Sequence, residues 1–152
     1  MRQTEVPVRS FLFIISALFF FTCCKNNTNN DLTGILILSG KGNHAWDKTT
    51  PLLKRIYSTS GLFRIETTDR PDTMTYESWK RFDAVISNFN TWPDNEIRFS
   101  PGWEKDFLKN IEKGGGAVFI HAGASSFYKW PEYHKIGIGR WGNETSHGSP
   151  QV

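Results

Sequence analysis

Four short apolar runs, separated by amphipathic stretches, limit what this 152-residue chain can fold into. The runs lie at positions 35–38, 63–67, 84–87 and 117–120. In the first run every residue is apolar, which is typical of a strand that helices cover on both faces. Alternation of such strands with helical segments predicts βαβ units, and therefore a single α/β domain built on a parallel sheet.

Helices are predicted between these strands. The first, at 51–60, has Pro51 suited to its first turn and Gly61 suited to a left-handed exit. Its apolar residues recur at i and i+4 and are expected to share one buried face. They are Leu52, Leu53, Ile56 and Tyr57. A shorter helix is predicted at 75–82.

The clearest helical signal follows Ser100, which can cap the helix, with Pro101 in the first position. The apolar residues of this helix fall on one face, and three glycines at 114–116 end it. After His121 the chain is rich in glycine, which predicts a loop.

The N-terminal segment has the pattern of an export signal. Arg2 and Arg9 precede an apolar run at 11–22, which is too short to cross roughly 30 Å of hydrocarbon as a helix. The pattern predicts a lipoprotein-type signal peptide at 1–23, lipidated at Cys23 or Cys24, with a plain secreted chain as the alternative. An Asn-rich tether would follow at 24–33, and the α/β domain at 34–152 would sit in the periplasm or at the surface of a bacterial cell.

The two cysteines of the chain both lie at this junction. The domain therefore has no disulfide, and it has no thiol for cysteine-based hydrolysis. The net charge of +3 comes from lysines and arginines scattered among acidic residues, so no nucleic-acid partner is predicted. The oligomeric state stays open.

Histidines mark the candidate chemistry. In an open parallel sheet, ligands bind where the strands end, and the loops at 40–46, 88–93 and 121–126 should meet there. His44 and His121 occupy two of these loops, and we expect them to lie side by side. With His147 from the glycine-rich tail, they are the predicted catalytic residues, because imidazole exchanges protons near neutral pH.

Polar and aromatic residues near these histidines are candidates for binding a small carbohydrate. They are Trp46, Asn90, Trp92, Ser125 and Trp141. The indole rings can stack on sugar faces, but each loop tryptophan, including Trp130, can equally belong to the core.

Other site types find less support. The Gly-Lys-Gly sequence at 40–42 lacks the full spacing of a phosphate-binding loop. Ser125 lacks the flanking glycines of a hydrolase elbow. No cofactor is predicted. A metal ion held by histidine stays a weaker alternative, because no His-x-x-x-His or Cys pattern supports it.

Several of these segments together resemble the ThuA-like (trehalose utilisation) family over about 34–148. The first is the stretch at 35–53, which contains the first strand, Asn-His-Ala-Trp and Thr-Thr-Pro-Leu-Leu. The others are Gly-Gly-Gly-Ala-Val-Phe-Ile-His-Ala at 114–122, Trp-Pro-Glu-Tyr at 130–133, and Gly-Arg-Trp leading to His147-Gly148. The resemblance implies a flavodoxin-like, class I glutamine amidotransferase-like doubly wound sheet, here truncated at its C-terminus. His121 would stand where amidotransferases carry their nucleophilic cysteine, so amidotransferase chemistry is excluded.

The resemblance also implies a role in the use of trehalose or a related disaccharide or keto-sugar. A hydrolase, lyase or isomerase centred on histidine is the first hypothesis. A non-catalytic glycan-binding module at the cell surface is the second. An inactive fragment is the third, because family members continue past the His-Gly segment.

Overall fold

The computed structural model describes residues 32–139. The described residues belong to a single compact unit. The predicted signal peptide, the predicted lipidation site, Trp141 and His147 therefore lie outside the described residues. Within residues 32–139, no helix has the length and apolar character needed to span a bilayer.

A four-stranded parallel sheet forms the centre of the domain. Its strands are β1 (Thr33–Gly40), β2 (Phe63–Thr68), β3 (Ala84–Phe89) and β4 (Gly116–Phe119). They lie in the order β2-β1-β3-β4, and Ile35 of β1 pairs with Ile65 on one side and Ala84 on the other. The four predicted strands and the parallel α/β fold are confirmed, and the order is that of the first four strands of a flavodoxin-like sheet.

The helices are α1 (Trp46–Thr59), α2 (Tyr76–Trp79), α3 (Pro101–Glu112) and α4 (Pro131–Ile136). The predicted start of α1 at Pro51 is wrong, because the helix begins at Trp46 and Pro51 lies inside it. The carbonyl of Ala45 accepts the N–H groups of Lys48 and Thr49, so the first turn closes upstream of the proline. Gly61, with φ +69°, provides the predicted left-handed exit.

The apolar face of α1 is narrower than its sequence pattern suggests. Leu53 and Tyr57 pack against the small core cluster of Ile35, Ile37 and Ile86, as expected. Leu52 and Ile56, one position before each of them, are exposed instead. Successive residues point about 100° apart around a helix, and a sheet covers only part of that circumference.

The larger core lies on the other face of the sheet and is mainly aromatic. The Ser100 Oγ accepts the N–H of Trp103 at 3.2 Å, which confirms the predicted cap of α3. Trp103 and Phe107 then stack in parallel with ring centroids 5.5 Å apart. Burial of these rings fixes α3 against the sheet.

The loop predicted after His121 is wrong over its first part. A short 3-10 turn at His121–Ser125 is followed by α4, which starts at Pro131. Trp130 and Tyr133 are buried and join the aromatic core, and their burial stabilises a helix of six residues that is too short to be stable alone. Of the two interpretations of Trp130, the core residue is therefore the correct one.

Candidate functional site

A cavity of about 390 Å³ opens at the carboxyl ends of the strands. Strands β1 and β3 are neighbours whose connections run to opposite sides of the sheet, so this is its topological switch point. The residues that line the cavity come from the loops after β1, β3 and β4. They are Asn43, His44, Asn90, Trp92, His121, Ala122 and Ser125.

The imidazoles of His44 and His121 face each other in this cavity. Their ring centroids are 4.6 Å apart and their planes meet at 82°, an edge-to-face arrangement. His44 follows β1 and His121 follows β4, and the two loops flank the end of β3. The structure thus brings together two histidines that are far apart in the sequence, as their strand-end positions predict.

The backbone at His121 is strained. Its φ of +45° lies in the left-handed region, which costs a non-glycine residue about 1–3 kcal/mol. The Ile120 N–H donates to the Ser87 carbonyl at 3.0 Å, and the Gly123 N–H donates to the Ile120 carbonyl at 2.8 Å. The chain therefore turns sharply as it leaves β4, and the turn places the His121 ring in the cavity.

Gly123 lets this turn approach β3 closely. A Cβ at this position would lie 2.2 Å from the Ser87 carbonyl oxygen, which is far inside van der Waals contact. Only a glycine fits in this arrangement, so the identity of residue 123 sets how close the His121 turn lies to the sheet.

The loop that carries His44 is packed against the loop after β3. Three successive residues, Gly40, Lys41 and Gly42, have positive φ values of 102°, 59° and 93°. A Cβ on Gly42 would come within 2.8 Å of the Asn90 Cβ. Beside it, the Asn90 Nδ2 donates to the Asn43 Oδ1 at 3.3 Å.

A second set of polar contacts holds the start of α1. The Asn88 Nδ2 lies 2.9 Å from both Thr49 Oγ1 and Thr50 Oγ1, and the Thr50 hydroxyl lies 2.7 Å from the Ser39 Oγ. These contacts tie α1 to the ends of β1 and β3. They fix the end of the loop that carries His44.

The Tyr133 hydroxyl supports the His121 turn from the core. It donates to the Gly123 carbonyl at 2.8 Å and lies 2.9 Å from the Ser87 Oγ. Burial raises the pKa of Tyr133, so the phenol stays protonated and able to donate. A helix at the end of the described chain thereby positions a turn that starts at the cavity.

Replacing Tyr133 with phenylalanine is expected to lower the free energy of unfolding by about 1–3 kcal/mol, because the Gly123 carbonyl and the Ser87 hydroxyl lose a buried partner. Urea denaturation followed by tryptophan fluorescence measures the change. The control is Tyr57→Phe, which keeps the ring packed edge-on against Phe63 and should stay within about 0.5 kcal/mol of wild type. Equal stability of the two variants would contradict the role assigned to the Tyr133 hydroxyl.

The other predicted site residues have different locations. Asn90, Trp92 and Ser125 line the cavity, whereas Trp46 begins α1 and is not among the lining residues. Asn43 and Ala122 line the cavity but were missed as site residues, although each is adjacent in sequence to one of the two histidines.

The structure shows where His134 lies and whether residues 32–139 contain a cluster of metal-binding side chains. His134 is buried in α4, with its Nε2 3.2 Å from the Phe127 carbonyl. No group of three or more His, Cys, Asp or Glu side chains in these residues is arranged to hold a metal ion. Among the described residues, His44 and His121 are the two whose imidazoles line the cavity.

Two crystal structures share this fold. A ThuA-like protein from Parabacteroides merdae is 25% identical, with a TM-score of 0.56 over 67% of this chain and 37% of that one. A ThuA-like protein from Bacteroides uniformis is 23% identical, with a TM-score of 0.52 over 68% of this chain and 42% of that one. The chain thus spans less than half the length of these two proteins.

No curated protein matches the chain. The model of the ThuA family, described as trehalose utilisation, matches residues 34–151. That match begins at the second residue of β1 and covers every strand, the two histidine loops and α4. The chain therefore belongs to the ThuA (trehalose utilisation) family.

Proposed function

We propose that this domain acts on a small carbohydrate, trehalose or a related disaccharide in its keto form, through a site centred on His44 and His121. The observation that carries the proposal is the pair of facing imidazoles in a cavity of about 390 Å³. That volume is within the range of about 300–1,000 Å³ found for small-molecule sites. The family description, trehalose utilisation, supports the choice of ligand class.

The chemistry of the described lining favours proton transfer. Glycosidases generally use two carboxylic acids. Among residues 32–139, the side chains that line the cavity include no Asp or Glu. A ketone makes the C–H bond next to it acidic, so that an imidazole within hydrogen-bond reach can remove the proton. We assign this base to His121, with His44 beside it to donate a proton, as an elimination or isomerisation of a keto-sugar requires.

Substrate binding is assigned to the residues from the β3 loop and their neighbours. The Trp92 side chain is 39% exposed at the cavity, which leaves an indole face free to stack on the apolar C–H face of a sugar ring. Asn43 and Ser125 add an amide and a hydroxyl that can bond sugar hydroxyl groups. Asn90 donates to Asn43 of the β1 loop and accepts the Trp92 N–H within its own loop, so it positions both residues.

We also propose that the domain works outside the cytoplasm, anchored through acyl chains on Cys23 or Cys24. The support is the sequence pattern of the first 24 residues, in which a basic start and a short apolar run lead to the two cysteines. An exported site of this kind would meet sugars before they enter the cell.

The test combines a product assay with calorimetric titration of the full chain against trehalose, its keto derivatives and longer glycans. Product formed from a keto-sugar supports the enzyme. Tight binding without product would favour the alternative, a glycan-binding module, for which the exposed indole of Trp92 provides a surface. If neither binding nor product is observed, both assignments are overturned, and the third hypothesis, an inactive fragment, is favoured.

Replacing Trp92 with alanine is expected to weaken sugar binding by about tenfold, because loss of one stacking ring removes roughly 1.4 kcal/mol. Calorimetry measures the Kd. Trp92→Phe keeps an aromatic face and should remain within about threefold of wild type. An unchanged Kd for Trp92→Ala would remove this residue from the sugar site.

A further inference from the structure

The side-chain amide of Asn90 has one orientation that satisfies both of its contacts. Only 4% of Asn90 is exposed. A backbone N–H can only donate, so the Trp92 N–H, at 2.9 Å, must face the Asn90 Oδ1 and not its Nδ2. The Nδ2 is then directed at the other contact of this side chain, which is Asn43. A backbone group therefore sets the orientation of this buried amide.

The same reasoning orients the amide of Asn43. The Asn90 Nδ2 can only donate, so the atom that it meets at 3.3 Å is the Asn43 Oδ1. The other end of the Asn43 amide, Nδ2, carries two N–H groups, and no acceptor among residues 32–139 meets them. Asn43 is exposed and lines the cavity. Its amide therefore offers a ligand a hydrogen-bond donor, while its acceptor is already occupied.

Packing of the loop after β3 holds the Trp92 N–H in place. Thr91, which is 2% exposed, accepts the Phe127 N–H on its Oγ1 at 2.9 Å. The Ser126 Oγ donates to the Phe89 carbonyl at 2.5 Å. These two buried bonds join the loop to the segment that follows the short 3-10 turn. The orientation of the two amides thus starts from a backbone that is fixed on both sides.

A donor in this cavity matches the charge that the proposed reaction creates. When His121 removes the proton next to the ketone, the electron pair of that C–H bond forms a C=C bond and the carbonyl oxygen becomes negative. Among the described residues, the side chains that line the cavity include no Lys or Arg to neutralise this oxygen. A donor that is already oriented stabilises it well, because the donor does not have to reorganise during the reaction.

We propose that the Asn43 Nδ2 donates to the keto oxygen of the sugar and stabilises the enolate, with Asn90 as its positioning residue. In an elimination the carbonyl then forms again, and a C=C bond joins the deprotonated carbon to the next one. The C–O bond to the leaving group breaks, and His44 gives the leaving oxygen a proton. This inference rests on the proposed function and deepens it by naming the group that binds the reacting oxygen.

Replacing Asn43 with aspartate gives the sharpest test, because a carboxylate still accepts the Asn90 N–H but cannot donate to the sugar. The kcat of the full chain for a keto-sugar is expected to fall by about 10²–10³-fold, the usual loss for one such donor, with KM unchanged. Exchange of the C–H proton next to the ketone with heavy water, followed by NMR, should slow by the same factor. Asn43→Ala adds no charge, and a similar loss there assigns the effect to the missing donor.

Asn90→Asp tests the positioning role without changing the residue that contacts the sugar. The carboxylate keeps an acceptor for the Trp92 N–H, but its second oxygen faces Asn43 and can only accept. The Asn43 amide is then expected to turn its Nδ2 toward that carboxylate and its oxygen toward the sugar, with a comparable loss of kcat. The control is Asn95→Ala, which changes a half-buried asparagine of the same loop that does not line the cavity and should leave kcat unchanged.

The outcomes separate this inference from the proposed function. A wild-type chain that neither converts a keto-sugar nor exchanges the proton would overturn the proposed function, and this inference with it. An active wild type whose two Asn43 variants keep their kcat would overturn this inference alone. A higher KM with kcat unchanged would do the same, because the amide would then bind substrate and transition state equally. Thermal unfolding is measured for each variant, and a loss of kcat that only follows a loss of folding would also count against it.

Discussion

Turnover of the keto-sugar is expected to fall by about 10²–10⁴-fold when His121 is replaced with alanine, the usual contribution of a positioned acid or base. His121 is exposed at the cavity and its ring contacts His44, so its removal should leave the core intact. Steady-state kinetics measures the rate, and thermal unfolding shows whether the domain remains folded.

His121→Asn is the matched control for backbone strain. Asparagine adopts positive φ more readily than most residues, so it suits the φ of +45° at this position while removing the imidazole. The same loss of turnover in both variants would assign the effect to the imidazole. Retained turnover in either variant would remove His121 from the mechanism. The assignment of His44 as proton donor beside it would then fail as well.

Replacing Gly123 with alanine is expected to lower the free energy of unfolding by about 3 kcal/mol, at the upper end of the usual cost of overpacking. The added methyl group would lie 2.2 Å from the Ser87 carbonyl oxygen, which belongs to the middle of β3 and cannot rotate away. The turn must therefore move, and the contact between the His44 and His121 rings is expected to be lost with it.

Urea denaturation measures this change, and Gly102→Ala provides a glycine that has room. A Cβ at Gly102, in the first turn of α3, would find its nearest neighbour, the Ser100 Oγ, at 3.8 Å. Alanine there is expected to be neutral or to stabilise the protein by up to about 1 kcal/mol. A wild-type denaturation midpoint for Gly123→Ala would show that the turn does not pack on β3 as described.

The strands, the cap of α3 and the convergence of the histidine loops were predictable because they depend on local patterns. An all-apolar run such as 35–38 suits a strand that is covered on both faces. Once the strands are parallel, their carboxyl ends share one edge, so the loops that carry His44 and His121 lie at the same edge of the sheet. The contact between the two rings depends in addition on the turn at His121.

The details that were missed depend on contacts between distant residues. Pro51 fits a first turn on propensity alone, yet α1 starts earlier, where the Ala45 carbonyl accepts two N–H groups. α4 has only six residues, too few for a helix that is stable alone, and its stability comes from burial of Trp130 and Tyr133 among aromatic rings supplied by α3.

The sequence by itself determined the α/β class, the strand positions and the edge at which the two histidines meet, because hydrophobic periodicity and strand direction are properties of short segments. Only the tertiary structure decided that Trp130 joins the core, how closely Gly123 approaches Ser87, and that Ile56 and Leu62 are exposed. Each of these depends on which surfaces meet after folding, and a pattern along one segment does not specify the surface that will cover it.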